Sequence, residues 1–314
     1  MRNFQNPNFN PPIEIYLNAP ENDGSKKLRF YFITTDHLSK RIWFKDDQDF
    51  KVGMNYIAII SLVSGIKVLA FILMSNHVHF VLQSTYEEAE WFINEYKRRY
   101  SEYLHFRYGT DDFLRRNKYK IQEVFIEDES LERVTAYTIM NSVAANICLT
   151  ATEYPWSSAG AYFRTMPPKG KAIGTLSRNA RRRILHTNSI LPGDALLGEY
   201  GYILPESYMP IKFVEAIFRT PKRLNYFMLN SSKAKKRIDS MNSRIPSFKD
   251  QVIEAAIPDI CRSMFRKNGA ADLAFKEMKE LVQEVRRRFS ADVNQIARVV
   301  GVEYSDVVNM LEDF

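Results

Sequence analysis

Residues 67–83 do most to limit what this chain can fold into. Residues 67–73 (KVLAFIL) are apolar, Ser75-Asn76 is a turn pair, and residues 77–83 (HVHFVLQ) resume an apolar pattern. Two short apolar runs split by a two-residue polar turn read as neighbouring antiparallel strands. Side chains alternate between the two faces of a strand. His77 and His79 therefore share one face, and Val78, Phe80 and Leu82 share the other.

The flanking sequence supplies the rest of a sheet. Residues 28–35 (LRFYFITT) are aromatic and β-branched, as a strand requires. Residues 45–63 carry Phe50, Met54, Ile57, Ala58 and Ser61 at helical spacing, and Gly65 ends that helix. A second helix covers residues 87–108, with Gly109 as its stop. A fourth strand covers residues 119–126. A third helix covers residues 129–147, capped at Asp128. The order β-α-β-β-α-β predicts an α+β domain, an antiparallel sheet with helices on one face. Residues 28–163 make up this domain, closed by Tyr154-Pro155-Trp156-Ser157-Ser158. Residues 1–27, rich in Asn and Pro, read as a flexible N-terminal arm. Residues 164–245 read as a basic linker and mixed helical region. Residues 246–314 read as a helical domain. Its last two helices, joined at Gly301, resemble a helix-turn-helix, with Gln295, Arg298, Tyr304 and Ser305 placed to meet DNA.

A chain of 314 residues with 45% apolar composition accommodates two or three domains. It shows no apolar run of membrane-spanning length and no signal-peptide pattern. Two cysteines without CxxC spacing point away from a disulfide framework and toward a reducing cytosol. A net charge of +7 suits a polyanionic partner.

Two of the five histidines fall in the HVH triplet. Neutral imidazole is the commonest side-chain ligand for divalent metals, but two ligands are too few for a tight site. The plain alternative is a pair of strand histidines bonded to backbone or water. The second helix carries Tyr96-Lys97-Arg98-Arg99-Tyr100-Ser101-Glu102-Tyr103. A tyrosine hydroxyl attacks phosphorus when a metal polarises the phosphate, and Lys97, Arg98 and Arg99 suit a nucleic-acid backbone. The plain alternative is a set of core aromatics beside a solvated basic face.

The aromatic first strand, MSNHVHFVLQ, KRRYSEYLHFRYG and YPWSSAGAY occur here in an order that resembles the REP-associated tyrosine transposases, single-tyrosine transposases of the HUH class. The resemblance covers residues 28–163. It implies that His77 and His79 bind Mg²⁺ or Mn²⁺. It implies that Tyr100 attacks a single-stranded DNA phosphodiester, giving a 5′-phosphotyrosine that a 3′-hydroxyl reverses. The partners it implies are single-stranded or hairpin DNA and a second copy of the chain, with the tyrosine helix working in cis or in trans. It implies a cytoplasmic, nucleoid-associated protein. Where relatives carry a glutamine ligand one turn after the nucleophile, this chain has Leu104. His105 and Gln83 are the substitutes considered. The NPV-type segment of the third helix reads NSVAAN here. Tyr96 and Tyr103 are rival nucleophiles, and Arg181, Arg182 and Arg183 are further candidates for DNA contact. A DNA-binding protein that has lost turnover, and a metal-free RNA- or protein-binding module, are the competing readings.

Overall fold

Four strands, β1 (Arg29–Thr35), β2 (Lys67–Met74), β3 (His77–Ser84) and β4 (Tyr119–Val124), form one antiparallel sheet in the order β2-β3-β1-β4. The computed structural model describes residues 28–38, 42–126, 129–231, 248, 250–289 and 291–312. The expected N-terminal arm and Asp128 lie outside these residues. The β2–β3 hairpin turns at Ser75-Asn76, as the sequence indicates, and pairs Met74 with His77 and Ile72 with His79. β2 and β3 are buried on both faces, which is why they read as almost unbroken apolar runs.

Helix α1 (Asp47–Ser64) starts at Asp46, whose side chain accepts from the Asp49 amide at 2.9 Å, and ends at Gly65 with φ 79°. Helix α2 (Tyr86–Tyr108) opens with a reciprocal Thr85–Glu88 capping box and ends at Gly109. Both helices cover the Val78/Phe80/Leu82 face. Phe80 meets Phe92 and Tyr96 of α2, each at 5.2 Å between ring centroids. Gly53 of α1 lets Phe44, Leu73 and the Tyr96 hydroxyl approach its backbone closely.

Helix α3 (Ser130–Ile139) lies on the opposite face, against Phe32 and His79. The sheet is thus covered from both sides, a departure from the expectation of helices on one face only. α3 follows the last strand when one face is already filled, and its buried Leu131, Thr135 and Ala136 pack on the free one.

Residues 154–158 run along the outer edge of β2. The amide of Leu73 donates to the carbonyl of Trp156 at 2.9 Å, and that of Ser158 to Phe71 at 3.0 Å. The Tyr154 hydroxyl donates to the carbonyl of Leu73.

The expected linker is folded onto this domain. A short hairpin, β5 (Gly170–Ala172) and β6 (Leu196–Gly198), and helices α4 (Arg178–Leu185), α5 (Ile211–Phe218) and α6 (Pro221–Leu229) add Ile173, Leu185, Phe213 and Phe227 to the same core. Helices α7 (Asp250–Phe265), α8 (Phe275–Phe289), α9 (Val293–Val300) and α10 (Tyr304–Glu312) build a second core around Leu281, Val285, Ile296 and Val307, joined by Ile42. Among the described residues no helix is long and apolar enough to cross a membrane.

Asn55 ties α1 to the added layer. Its Oδ1 accepts from the Ile203 amide at 2.9 Å, and its Nδ2 donates to the Gly201 carbonyl at 3.3 Å. Asn55→Ala strands a buried amide and is expected to cost about 2 kcal/mol, read as a lower urea midpoint with an unchanged slope.

Candidate active site

The start of β3 gathers three imidazoles. His77 and His79 project from one face, with ring centroids 4.8 Å apart and planes nearly perpendicular. His37, two residues beyond the end of β1, stacks on His77 at 3.7 Å. Asn76 holds that arrangement together. Its carbonyl accepts from the Leu38 amide at 3.0 Å, its Nδ2 donates to the Leu38 carbonyl at 3.3 Å, and its Oδ1 lies 2.7 Å from His77 Nδ1. An acceptor at Nδ1 favours the tautomer that leaves Nε2 with its lone pair, as a second-shell partner does for a ligating histidine. The Thr35 hydroxyl accepts from the Val78 amide between the two histidines.

His79 is packed between aromatic groups. Phe32 stacks on it at 5.5 Å, and Tyr137 of α3 meets it edge-on at 6.0 Å. Tyr137 is half-buried, and burial holds its phenol above the ordinary range. One helical turn later, Asn141 Nδ2 donates to the carbonyls of Tyr137 and Thr138, both at 3.0 Å, and so fixes the end of the turn that presents Tyr137.

A groove of about 690 Å³ runs from Tyr137 and Phe32 past Gln122 of β4 and Arg133 of α3 to Tyr226 and Asn230 at the end of α6. Arg223 forms the far wall's anchor, bridging to Glu129 and Glu132 at 3.1 Å each.

The remaining expected site residues lie elsewhere. Tyr100 is fully buried in the α1–α2 layer, behind the sheet from the histidines. Its hydroxyl lies 3.1 Å from the Trp43 carbonyl and 3.2 Å from that of Asp49, and burial followed by the charge of Asp49 holds its pKa well above the usual value. No phosphate reaches it without opening the core, so its assignment as nucleophile fails. The rivals share that layer: Tyr96 is fully buried, and Tyr103 donates to Asp49 at 2.8 Å.

Lys97 is buried and spans from α2 to the carbonyls of Arg115 (3.1 Å) and Asn117 (2.6 Å); burial lowers its pKa. Arg98 pairs with Glu95 at 2.8 Å and Glu102 at 2.7 Å, and Arg99 with Glu95 at 2.6 Å. The basic run is therefore neutralised by carboxylates three and four residues away and leaves no free phosphate cradle. His105 is exposed near the end of α2, with Nδ1 2.8 Å from the Thr110 carbonyl. Gln83 shares the histidine face, but four residues from His79 is about 13 Å of strand, too far for one shell. Neither supplies the missing ligand. In the C-terminal domain Gln295 donates to the Phe248 carbonyl and to Asp250, both at 2.8 Å, and Arg298 pairs with Asp250 at 2.9 Å. Both serve their own fold, while Tyr304 and Ser305 are exposed.

Two residues beside the histidine pair that the motifs did not single out are His37 and Tyr137. A signal existed for each. The end of β1 pairs with the start of β3, through Thr34 with His79, so the residues just after β1 face the histidine pair. Helix α3 has only the histidine face left to cover.

His77 and His79 are the two imidazoles that would hold a divalent cation; both are buried, and Asn76 lies against Nδ1 of His77. Among the described residues no three or more His, Cys, Asp or Glu form a metal cluster. The stacking of His37 on His77 aligns the two rings side by side rather than converging them on one point.

Comparison with protein-family models, with characterised proteins and with solved structures returns no match.

Lys97→Met removes two buried hydrogen bonds of a charged group. It is expected to cost about 2–4 kcal/mol of stability while leaving the affinity of the folded protein for DNA unchanged, as measured by denaturant titration and by fluorescence anisotropy with a labelled oligonucleotide.

Proposed function

We propose that this chain is a metal-dependent single-strand DNA endonuclease and strand-transferase acting on hairpin-forming repeats, with Tyr137 rather than Tyr100 as its nucleophile. The observation that carries this reading is the placement of Tyr137 edge-on to His79, half-buried at the head of a groove. The strand order and the two helices on the Phe80 face support the ferredoxin-like arrangement of the HUH class. The remaining elements of that reading, a second copy of the chain as partner and a cytoplasmic, nucleoid-associated location, go with it.

The chemistry asks little of the protein beyond positioning. In this reading the Tyr137 hydroxyl attacks a phosphodiester, which forms the Tyr137 oxygen–phosphorus bond, breaks the bond from phosphorus to the 3′-oxygen and releases a 3′-hydroxyl. His77 and His79 would hold Mg²⁺ or Mn²⁺, which polarises a phosphoryl oxygen when bound. The phenol proton leaves toward solvent or toward the neighbouring imidazoles. The groove walls offer Gln122 and Asn230 for hydrogen bonds to bases and Tyr226 for stacking. Because the phosphotyrosine retains the bond energy, the reverse attack by a 3′-hydroxyl rejoins DNA without ATP.

A repeat-binding factor without turnover is the second reading. It is favoured by the side-by-side stacking of His37 on His77, which withholds a third converging ligand.

Incubation with Mn²⁺ and labelled single-stranded hairpin DNA, followed by denaturing electrophoresis, separates the two. A covalent adduct is expected from the wild type and from Tyr100→Phe, and none from Tyr137→Phe or His77→Ala. An adduct that survives Tyr137→Phe sinks the assignment of that residue, and binding without any adduct favours the second reading. Tyr137 must lose a proton that burial holds above pH 10. The phenolate fraction therefore grows with pH throughout the range below that value, and the adduct rate is expected to rise steadily from pH 6 to pH 9.

A further inference from the structure

We propose that helix α4 and the loop after it form a second nucleic-acid contact, a phosphate-backbone clamp for the duplex stem of the substrate, on the side of the sheet away from Tyr137. The choice of a hairpin stem rests on the function proposed above; the clamp itself does not.

Helix α4 has the sequence RNARRRIL, and Arg178, Arg181 and Arg182 fall at spacings of three and four, along one side of the helix. They line a hollow of about 380 Å³ with Thr187, Asn188 and Ser189, so three guanidinium groups face hydroxyl and amide side chains. Several other arginines sit on carboxylates: Arg98 on Glu95, Arg107 on Asp46, Arg223 on Glu132, Arg287 on Glu284 and Arg298 on Asp250. Among the described residues, Arg178, Arg181, Arg182 and Arg183 have no carboxylate within ion-pair distance. Arg181 Nε is moreover shielded from solvent with no hydrogen-bond partner.

The helix dipole favours Arg182 and Arg183 in the last turn but not Arg178, which stands in the first turn at the positive end. A guanidinium fork matches the oxygens of a phosphate, and several forks along one helix match a phosphate chain.

Position selects the stem over the cleaved strand. Helix α4 packs behind α1 and α2: its Ile184 carbonyl receives the Asn55 side chain at 3.5 Å, and His186 at its end lies 5.6 Å from Tyr103. The histidines and Tyr137 occupy the other face of the sheet. A single strand seated at Tyr137 does not reach α4, whereas a folded stem rounding the edge of the domain does.

The test is the salt dependence of binding to a labelled, fully paired duplex, measured by anisotropy from about 50 to 200 mM salt. Each lost phosphate contact lowers the slope of log K against log salt by about 0.9 for duplex DNA. The triple variant R178Q/R181Q/R182Q, verified as folded by circular dichroism and thermal melting, is expected to reduce the slope by about two to three. An unchanged slope in the folded triple variant overturns the clamp, as does an absence of duplex binding by the wild type. Loss of binding to phosphatidylserine vesicles with the duplex slope intact overturns it in favour of a membrane contact. A reduced slope in a protein that forms no covalent adduct keeps the clamp and removes the enzyme reading.

Discussion

Strand β3 is shared between two incompatible environments, and the rest of the domain follows from how it is divided. Its odd-numbered side chains include His77 and His79; its even-numbered ones are Val78, Phe80, Leu82 and Ser84. Because successive residues face opposite ways, slipping the register by one residue would turn the imidazoles into the apolar layer under α2 and Phe80 toward α3. The β2 pairing, the covering of one face by two long helices and the return of α3 across the other all enforce the same register.

That division separates two groups of tyrosines with different prospects. Those of α2 contribute to a core whose apolar mass stabilises the domain, together with a buried carboxylate, Asp49, held by Tyr103, Tyr108 and Arg107. Burial pushes the pKa of Asp49 up, and its partners tie the end of α2 to the beginning of α1. A hydroxyl in such a place has hydrogen bonds to make but no substrate to meet. Tyr137 is only half-buried and lines an open groove. Access, more than the identity of neighbouring cations, sets which phenol can do chemistry.

Much of the fold was legible in the sequence, because hairpin, helix stops and caps are local. Ser75-Asn76, Gly65 and Gly109 each act where they stand. The folded state of residues 164–231 was less so, since their apolar residues are scattered among basic ones and reveal a common core only when docked. The site was half legible. The histidine pair could be placed on one strand face from alternation alone. The placement of Tyr137 was legible only indirectly, from α3 being left the one uncovered face of the sheet. The basic run was misread for a more avoidable reason. Glu95 and Glu102 stand at the spacings that neutralise Arg98 and Arg99 within a helix, so the charges cancel where they are counted together.

The segment 154–158 along β2 bears on how the domain behaves in company. By occupying the outer hydrogen-bonding edge of β2, it leaves β4 as the exposed margin of the sheet. That margin carries Lys118, Lys120 and Gln122, all exposed, and lysines at an open margin discourage the addition of foreign strands. One border is thus sealed by the chain itself and the other is defended by charge, so copies crowded together would resist merging their sheets into aggregates.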